Sequence, residues 1–337
     1  MSHRNVDLGK ARRNKNDEFY TQLEDIEKEM RHYKDYFKGK VVYCNADDPR
    51  VSNFFHYFSY NFEYLGLKKL ITTCYKNQEM DLFSMHDRES AIALVYEGEK
   101  DNGRVPTAEN IGIIELEGDG DFRSLEAIEF LKEADIVVTN PPFSLFREFI
   151  GQLIEYEKDF IILGNMNAVT YKEVFPLIRE NKVWYGESIR SGDREFQVPE
   201  HYPLTASNSR IDEEGKRFVR VKGVRWFTNL DVPKRHEELI LYKKYSDEEY
   251  PKFDFYNAIN VDKTVEIPYD YEGAMGVPIT FLDKYNPNQF EILDSNDYRI
   301  NEEVPYKEHG LIKDKEASVN GVVKYVRVLI KNKKVIK

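Results

Sequence analysis

Four consecutive residues, Asn140-Pro141-Pro142-Phe143, carry the most distinctive chemical pattern in the sequence. They directly follow an apolar run that is typical of a buried strand, and a helix-like stretch comes after them. Because proline has no N–H and a fixed φ, two prolines stiffen the loop and leave its carbonyls pointing outward. The side-chain oxygen of Asn140 and the carbonyl of Pro141 can then accept from one NH2 group, while Phe143 stacks on the ring that bears it.

Two acceptors on one amine favour a pyramidal nitrogen and free its lone pair to attack an electrophilic methyl group. The pattern therefore indicates a methyltransferase. The alternative is that the tetrapeptide is only a strand-to-helix turn, since Asn and Pro are common in turns. The preceding strand, the aspartate before it (Asp135) and the aromatic residue favour the methyltransferase. By themselves, the four residues leave adenine N6, cytosine N4, guanine N2 and a glutamine amide open as acceptors.

The elements around this pattern alternate between strand-like and helix-like stretches over the first 200 residues or so, which predicts an α/β domain with a mostly parallel sheet. The expected strands are Val41–Asn45, Lys68–Tyr75, Ala91–Glu97, Ile111–Gly118 (a hairpin with the preceding one), Asp135–Asn140, Asp159–Asn165 and the segment VWYG. The expected helices are Asp48–Tyr60, Ser124–Glu133 with Ser124 as its N-cap, Leu145–Lys158 and Thr170–Asn181.

The character of the sequence changes beyond about residue 186, where charged and turn-rich segments dominate. The strands expected there are short: RFVRV, VRWFTNL, ELILYKK and KYVRVLIK. We predict a catalytic domain over residues 1–240 and an α+β target-recognition region over 241–337, with part of the recognition surface in 186–225. No internal repeat is evident.

Composition narrows the class of protein. The 337 residues include 23 Tyr and 21 Phe, which suits binding of planar rings, although an aromatic-rich core explains the number as well. There is no apolar run long enough to span a membrane and no signal-peptide core, and Cys44 and Cys74 are too few for a zinc site. We expect a reduced cytoplasmic protein with no metal.

The net charge of −11 argues mildly against a nucleic-acid partner, but phosphate contacts need only a local positive surface. Lys and Arg are concentrated in residues 1–15, in Lys216–Arg225 (KRFVRVKGVR) and in the last 25 residues. Each stretch alone is explained as a solvated surface. The three stretches together are explained equally well by a basic groove and by solvated surface.

The chain resembles the EcoRI-type family of adenine-specific DNA methyltransferases nearly end to end. The resemblance rests on the following blocks, in one order: KNDEFYTQ (Lys15–Gln22), VVYCNADDPRVSNFF (Val41–Phe55), LGLKKLITTCY (Leu65–Tyr75), GDGDFRS (Gly118–Ser124), DIVVTNPPFSLF (Asp135–Phe146), TYKEVF (Thr170–Phe175), VPEHY (Val198–Tyr202), TNLDV (Thr228–Val232), YNAIN (Tyr256–Asn260) and MGVPITFL (Met275–Leu282). It implies a class I, Rossmann-like fold, S-adenosylmethionine as the methyl donor, and the N6 of a flipped adenine in duplex DNA as the acceptor.

The resemblance also implies a cofactor site. Phe19-Tyr20-Thr21 would line the methionine end, and Asn45 and Asp47 would bind the amine and the ribose, although the loop after Cys44 lacks the usual glycines. For Asp47, capping of the following helix together with Asp48 is an equal alternative. Asp121, with Phe122 beside it, would accept from the adenine amine of the cofactor, and Asp119 is its competitor.

The DNA side is less determined. Trp226 resembles the aromatic residue that lines the base pocket in related enzymes, with a buried core position as an equal alternative. The other expected DNA contacts are basic residues, whose type alone does not separate base contacts from phosphate contacts: Arg190, Arg194, Arg220, Lys222, Arg225, Lys331, Lys333 and Lys334. For the C-terminal lysines, the alternative is an edge strand protected against aggregation.

The resemblance further implies GAATTC as the target, a monomeric enzyme and a role in protection against a restriction endonuclease. Whether a partner nuclease exists is not contained in the sequence. Two other functions stay open: the same chemistry on RNA or on a protein glutamine, and a non-catalytic DNA-binding relative. The intact Asn140-Pro141-Pro142-Phe143 pattern argues against the last.

Overall fold

The structure is a computed structural model that describes residues 19–46, 50, 52–74, 91–98, 111–190, 192–198, 202–204, 208–300 and 310–336. The chain divides into two compact units. Unit 1 holds the described residues up to Ala168 together with Gly186–Leu230. Unit 2 holds Val169–Tyr185 together with the described residues from Asp231 onward.

The strands are numbered in chain order: β1 (Val41–Asn45), β2 (Lys69–Thr73), β3 (Ile92–Tyr96), β4 (Ile114–Glu115), β5 (Ile136–Thr139), β6 (Asp159–Asn165), β7 (Trp184–Tyr185), β8 (Asp193–Val198), β9 (Ser209–Ile211), β10 (Arg217–Lys222), β11 (Val224–Thr228), β12 (Ala258–Asn260), β13 (Ala274–Pro278), β14 (Phe290–Ile292), β15 (Leu311–Ile312), β16 (Ser318–Val319), β17 (Val322–Val323) and β18 (Arg327–Asn332). The α-helices are α1 (Leu23–Met30), α2 (Asn53–Tyr60), α3 (Phe62–Leu65), α4 (Leu125–Glu133), α5 (Phe146–Glu155) and α6 (Phe175–Arg179).

The main sheet of unit 1 places seven of these strands in the order β4-β3-β2-β1-β5-β6-β11. The four central strands, β2, β1, β5 and β6, are parallel, and antiparallel strands join them on both sides. The central strands are almost wholly buried, as expected for parallel strands covered on both faces. The predicted α/β fold with a parallel central sheet is confirmed, and so is the hairpin pairing of β3 with β4.

Strand β1 lies at the point where the strand order reverses. From β1 the chain moves to β2 on one side and later returns to β5 on the other, with Val42 opposite Ile136 and Tyr43 opposite Val137. In open α/β sheets, ligands bind in the crevice beyond the carboxyl ends of the strands at such a reversal. The fold therefore brings the residues after β1 and β5 to one crevice.

Two helices of unit 1 begin at serine caps. The Ser124 hydroxyl accepts from the N–H of Ala127 at 3.2 Å, which confirms the predicted start of α4. The cap of α2 is Ser52, whose hydroxyl accepts from the N–H groups of Phe54 and Phe55. The helix expected from Asp48 therefore starts later, at Asn53, and Asp47 and Asp48 lie outside the described residues.

A second, smaller sheet of unit 1 contains β8, β10 and β9, all antiparallel. It accounts for the predicted strand RFVRV. The register places Phe196 of β8 opposite Val219 and Gln197 opposite Phe218. Phe196 and Gln197 matter because both contact the segment at Phe19 and Tyr20, described below.

Unit 2 is built on a mixed sheet in the order β12-β13-β18-β14, with β15 also paired to β18. Its core contains Phe253, Tyr256, Leu293, Ile312 and Leu329. Two predictions for this unit fail. The helix expected over Thr170–Asn181 is shortened to α6, because Pro176 lies in its first turn, where a missing N–H costs no internal bond.

The predicted strand ELILYKK is also absent, since only Lys243 forms an isolated bridge, with Pro268. The side-chain amide of Gln289 takes the place of a strand partner: it donates to the carbonyl of Leu239 at 2.8 Å and accepts from its N–H at 2.7 Å. Alternating apolar residues were the reason for predicting a strand here. Ile240 and Tyr242 are instead exposed, so the alternation does not mark a buried face.

None of the helices that the structure describes is both long and apolar enough to cross a membrane.

Candidate active site

The predicted reactive loop follows β5 directly. Asn140 and Pro141 are buried, and Phe143 opens a short 3-10 helix over Phe143–Leu145 that leads into α5. The carbonyl of Pro142 accepts from the N–H of Leu145 at 2.9 Å and is used by the turn itself. The Pro142 carbonyl is therefore already engaged, and the role of the Pro141 carbonyl as an acceptor stays a prediction.

The two polar atoms of the Asn140 side-chain amide, the donor Nδ2 and the acceptor Oδ1, have different surroundings. Its Nδ2 donates to the main-chain carbonyl of Phe19 at 2.6 Å. Its Oδ1 is buried and has no hydrogen-bond partner anywhere in the described part of the chain. An unpaired buried acceptor costs about 1–3 kcal/mol, so Oδ1 is a candidate for pairing with a ligand donor.

Asn45 Oδ1, at the end of β1, and Thr21 Oγ1 are also buried and lack a partner among the described residues. Asn45 is connected to β5 because the Thr139 hydroxyl donates to its carbonyl. Thr21 is connected to α2 because its carbonyl accepts from Asn53 Nδ2 at 2.7 Å. All three residues were predicted to bind the cofactor or the reacting amine.

The segment Phe19–Thr21 connects these parts. Tyr20 forms an isolated antiparallel bridge to Gln197, with its N–H donating to the Gln197 carbonyl at 2.9 Å and its carbonyl accepting in return at 3.2 Å. The Phe19 ring lies among three other aromatic rings, with centroid distances of 5.8 Å to Phe143, 5.6 Å to Phe196 and 6.0 Å to Tyr202. No role was predicted for Phe196 and Gln197, because alternation in a strand does not reveal its partner.

The turn after β1 contains no glycine, but its first residue adopts a backbone conformation that favours glycine. Ala46 has a φ of 88°, in the region that favours glycine, and its N–H donates to the Thr73 carbonyl at 3.2 Å. Asp47 lies outside the described residues, so its predicted contact with the ribose stays a prediction.

The loop at Asp121 lies beyond β2. Gly120 has a φ of 74°, and a Cβ there would come within 2.1 Å of the Cys74 carbonyl, so only glycine allows this approach. Phe122 packs edge-on against Phe149 of α5, with ring centroids 5.1 Å apart. The loop is thereby held next to the helix that follows the Asn140-Pro141-Pro142-Phe143 tetrapeptide.

The carboxylate of Asp121 already has a partner. Arg123 donates to it from its main-chain N–H, from Nε at 2.8 Å and from Nη2 at 2.7 Å. Partial burial opposes ionisation of Asp121, but the bonds from Arg123 outweigh it and lower the pKa of this carboxyl. Asp119 Oδ1 accepts from the N–H of Asp121 at 3.0 Å. Any role of Asp121 toward a ligand amine would use its remaining lone pairs.

Among the predicted DNA-binding residues of unit 1, Arg225 and Trp226 are corrected by the structure. Both are buried in β11. Arg225 donates to the carbonyls of Val224 and Arg190, and Trp226 packs edge-on against Phe54. Every residue of β11 is covered, so neither side chain reaches a DNA surface, and the alternative of a core tryptophan applies.

The other predicted contacts of unit 1 are more accessible. Arg220 and Lys222 are exposed on β10, with Arg220 Nε 3.8 Å from Glu195. Arg190 pairs with the buried Glu187 at 2.9 Å. Arg194 lies 3.7 Å from Asp25. The basic residues of 1–15 lie outside the described residues.

In unit 2, Lys331, Lys333 and Lys334 are exposed. Lys333 Nζ donates to the Pro287 carbonyl at 2.7 Å, and Lys334 pairs with Glu238. The alternative that they protect an edge strand is wrong, because β18 pairs with β13 on one side and with β14 and β15 on the other. Within the described ranges, no three His, Cys, Asp or Glu side chains form a group that could hold a metal ion.

Comparison with known proteins agrees with the predicted resemblance. The family described as adenine-specific methyltransferase EcoRI matches residues 7–333. The type II methyltransferase M.EcoRI of Escherichia coli is 50% identical over 98% of this chain and 97% of its own length. Two mycoplasma proteins, M.MpnI of Mycoplasma pneumoniae and M.MgeORF184P of Mycoplasma genitalium, are 39% and 38% identical, each over 97% of this chain and over 98% and 99% of their own lengths. No solved structure matches the chain.

These matches, together with the parallel α/β sheet, define the class of the protein as a methyltransferase. The chain belongs to the EcoRI family of adenine-specific methyltransferases.

Proposed function

We propose that this protein transfers a methyl group from S-adenosylmethionine to the N6 of an adenine extruded from duplex DNA. The proposed target is GAATTC, and the proposed role is protection of DNA against a restriction endonuclease. The family is described as adenine-specific, and the three relatives are named type II methyltransferases, which supports both the base and the setting.

One observation carries the proposal. Three buried polar atoms without partners in the described chain, Thr21 Oγ1, Asn45 Oδ1 and Asn140 Oδ1, belong to elements that meet at the carboxyl ends of β1 and β5. Burial of so many unpaired atoms is unfavourable unless ligands pair with them. The sheet reversal at β1 supports a class I, Rossmann-like cofactor site at the same place.

The residues present fit S-adenosylmethionine, which when bound supplies an electrophilic methyl group on sulfur. The segment Phe19-Tyr20-Thr21 would line its methionine end, and Asn45, with Asp47, would accept from its amine and ribose. Asp121 would accept from its adenine amine, with Phe122 alongside. The lowered pKa of Asp121 keeps that carboxyl an acceptor at neutral pH.

The reaction on the DNA side depends on this chain's own groups. Asn140 Oδ1 and the Pro141 carbonyl would both accept from the target NH2 group and make its lone pair available. Phe143 would stack on the extruded base. A base that has left the DNA helix exposes its ring face, so this contact becomes possible. The amine proton can leave to water after transfer, and orientation of the reactants supplies much of the rate.

The remaining assignments concern DNA. We propose a catalytic domain over residues 1–240 and a recognition region over 241–337. Arg190, Arg194, Arg220 and Lys222 in unit 1, and Lys331, Lys333 and Lys334 in unit 2, would contact DNA. Positive side chains in these positions would offset the acidic total by placing charge near phosphates.

The test is a transfer assay with radiolabelled S-adenosylmethionine on four substrates: a GAATTC duplex, a duplex with the site scrambled, RNA and protein. Label should enter only the GAATTC duplex, and digestion to nucleosides should place it in N6-methyladenine. Equal labelling of both duplexes would refute the target sequence, while labelling of RNA or protein would refute the substrate. The Asn140→Ala variant serves as the inactive control.

A further inference from the structure

The amide of Asn140 poses a choice that the sequence does not resolve. Its two ends are alike in size, but Nδ2 donates and Oδ1 accepts, and only the acceptor can pair with an amine. Asn140 is 6% exposed, so its orientation is set by the protein rather than by water. The partner that sets it is the Phe19 carbonyl, 2.6 Å from Nδ2 and 121 residues earlier in the chain.

The Phe19 carbonyl is itself held in place. The next residue is fixed by the two main-chain hydrogen bonds between Tyr20 and Gln197. The residue after that is fixed by the bond from Asn53 to the Thr21 carbonyl. The Phe19 ring packs among Phe143, Phe196 and Tyr202. Three successive residues are thus tied to different elements, and the carbonyl has little freedom to turn away.

We propose that the main-chain carbonyl of Phe19 is a positioning group for the transfer reaction, because it binds Nδ2 of Asn140 and so presents Oδ1 to the target amine. The inference rests on the proposed function. It gives the segment Phe19–Thr21 a second task besides cofactor binding. It also accounts for an asparagine at position 140, since a carboxylate there would place an oxygen against the Phe19 carbonyl.

The decisive variant is Asn140→Asp, which keeps the size of the side chain and one acceptor but loses the donor. Ionised, the introduced carboxyl is repelled by the Phe19 carbonyl; protonated, it can donate to that carbonyl and present its other oxygen. Burial and the facing oxygen both raise its pKa, so the productive form is present at low pH and lost as pH rises.

The measurement is the single-turnover transfer rate at saturating cofactor and DNA. For Asn140→Asp we expect a fall of roughly 10-fold or more between about pH 6 and pH 8, while the wild type does not fall. A rate for the variant that does not change with pH overturns the inference. Because the transfer rate of Asn140→Ala tests the proposed function separately, the two failures are distinguishable.

A second pair of variants tests the support of the carbonyl. Phe19→Ala removes the three ring contacts, and Phe19→Tyr keeps the packing area. If Phe19 positions Asn140, the alanine variant loses roughly 10-fold in single-turnover rate even at saturating cofactor, and the tyrosine variant restores most of it. If the alanine variant instead regains the wild-type rate once cofactor saturates, Phe19 acts on cofactor affinity alone and the inference fails.

Discussion

At the scale of single residues, the candidate site is distinguished by buried polar atoms that have no hydrogen-bond partner within the described part of the chain. Most buried polar side chains in a folded protein are paired. Asn45 and Asn140 each keep one oxygen unpaired at the end of a central strand, within the described part of the chain. Their substitution should therefore affect ligands more than folding.

The first prediction concerns Asn140→Ala. It deletes an acceptor for the reacting amine, so transfer should fall on the order of 100-fold or more, as when a preoriented catalytic hydrogen bond is lost. Cofactor affinity, measured by calorimetry, should stay close to that of the wild type. Turnover within a few fold of the wild type would refute the assignment of the reactive loop.

The second prediction concerns Phe143→Ala. Loss of the ring should weaken stacking of the extruded base by about 1–3 kcal/mol. With 2-aminopurine at the target position, the rise in fluorescence on binding should shrink, and Phe143→Tyr should preserve it. An unchanged rise in the alanine variant would remove the stacking role.

The third prediction concerns Asp121→Ala, which should weaken binding of S-adenosylmethionine by about 1–3 kcal/mol, because a donor on the cofactor loses its acceptor. Since the pKa of Asp121 is lowered, its contribution is present at neutral pH and is lost only as pH falls through that lowered value. Equilibrium dialysis measures the effect.

Arg123→Ala separates this role from the ion pair. It frees the Asp121 carboxylate without removing it, so cofactor affinity should be kept. If Asp121→Ala binds normally while Asp119→Ala does not, the role belongs to Asp119.

At the scale of elements, a buried carboxylate joins α1 to the chain that leads into β8. Glu29 is fully buried, and its oxygens accept from the Tyr33 hydroxyl at 2.8 Å and from the N–H groups of Glu187 and Ser188 at 2.8 and 2.6 Å. Burial, together with Glu29, raises the pKa of Tyr33 well above its ordinary value, so the phenol stays a donor. The helix after the Phe19–Thr21 segment is therefore anchored within unit 1.

The fourth prediction follows from this anchor. In Glu29→Gln, one oxygen becomes an NH2 group that faces N–H donors, so the free energy of unfolding should drop by about 1–3 kcal/mol. Urea denaturation measures it. The matched control is Glu24→Gln on the same helix, whose exposed pair with Lys28 should contribute little to the free energy of unfolding. Equal stability of the two variants would show that the Glu29 bonds do not hold α1.

At the scale of the whole molecule, an acidic protein has to bind a polyanion. The charge is −11 in total, yet Lys331, Lys333 and Lys334 stand exposed at the end of β18. Because β18 is an interior strand, these lysines are not needed to prevent edge-to-edge pairing. We therefore keep phosphate binding as the proposed function of these three lysines.

The fifth prediction tests this. Changing Lys331, Lys333 and Lys334 together to Gln should weaken cognate and non-cognate duplexes about equally. It should also lower the slope of log K against log salt by roughly 0.9 for each phosphate that the variant no longer neutralises. Binding titrations at several salt concentrations measure both.

The control variant changes Lys28, Lys132 and Lys263 to Gln; their side chains are 50%, 53% and 72% exposed, and the same total charge is removed. Its salt slope should match that of the wild type. If both triple variants behave alike, only net charge matters and the three C-terminal lysines do not contact DNA.

The sequence by itself determined the α/β class and the family, and it predicted the reactive tetrapeptide after a buried strand. These follow from hydrophobic periodicity and from short contiguous motifs, which need no knowledge of distant contacts. Ser124 as a helix cap was predictable for the same reason, since capping depends on neighbours within one turn.

The tertiary structure alone decided the rest, because each remaining feature depends on segments far apart in the chain. The carbonyl that orients Asn140 belongs to Phe19, and the sequence contains no sign of that pairing. Likewise, Arg225 ends a basic stretch and Trp226 follows it, yet both are buried because β11 pairs with β6. The interior position of β18 in its sheet could not be predicted from the sequence either. Strand order is set by the packing of the whole unit rather than by the strand's own residues.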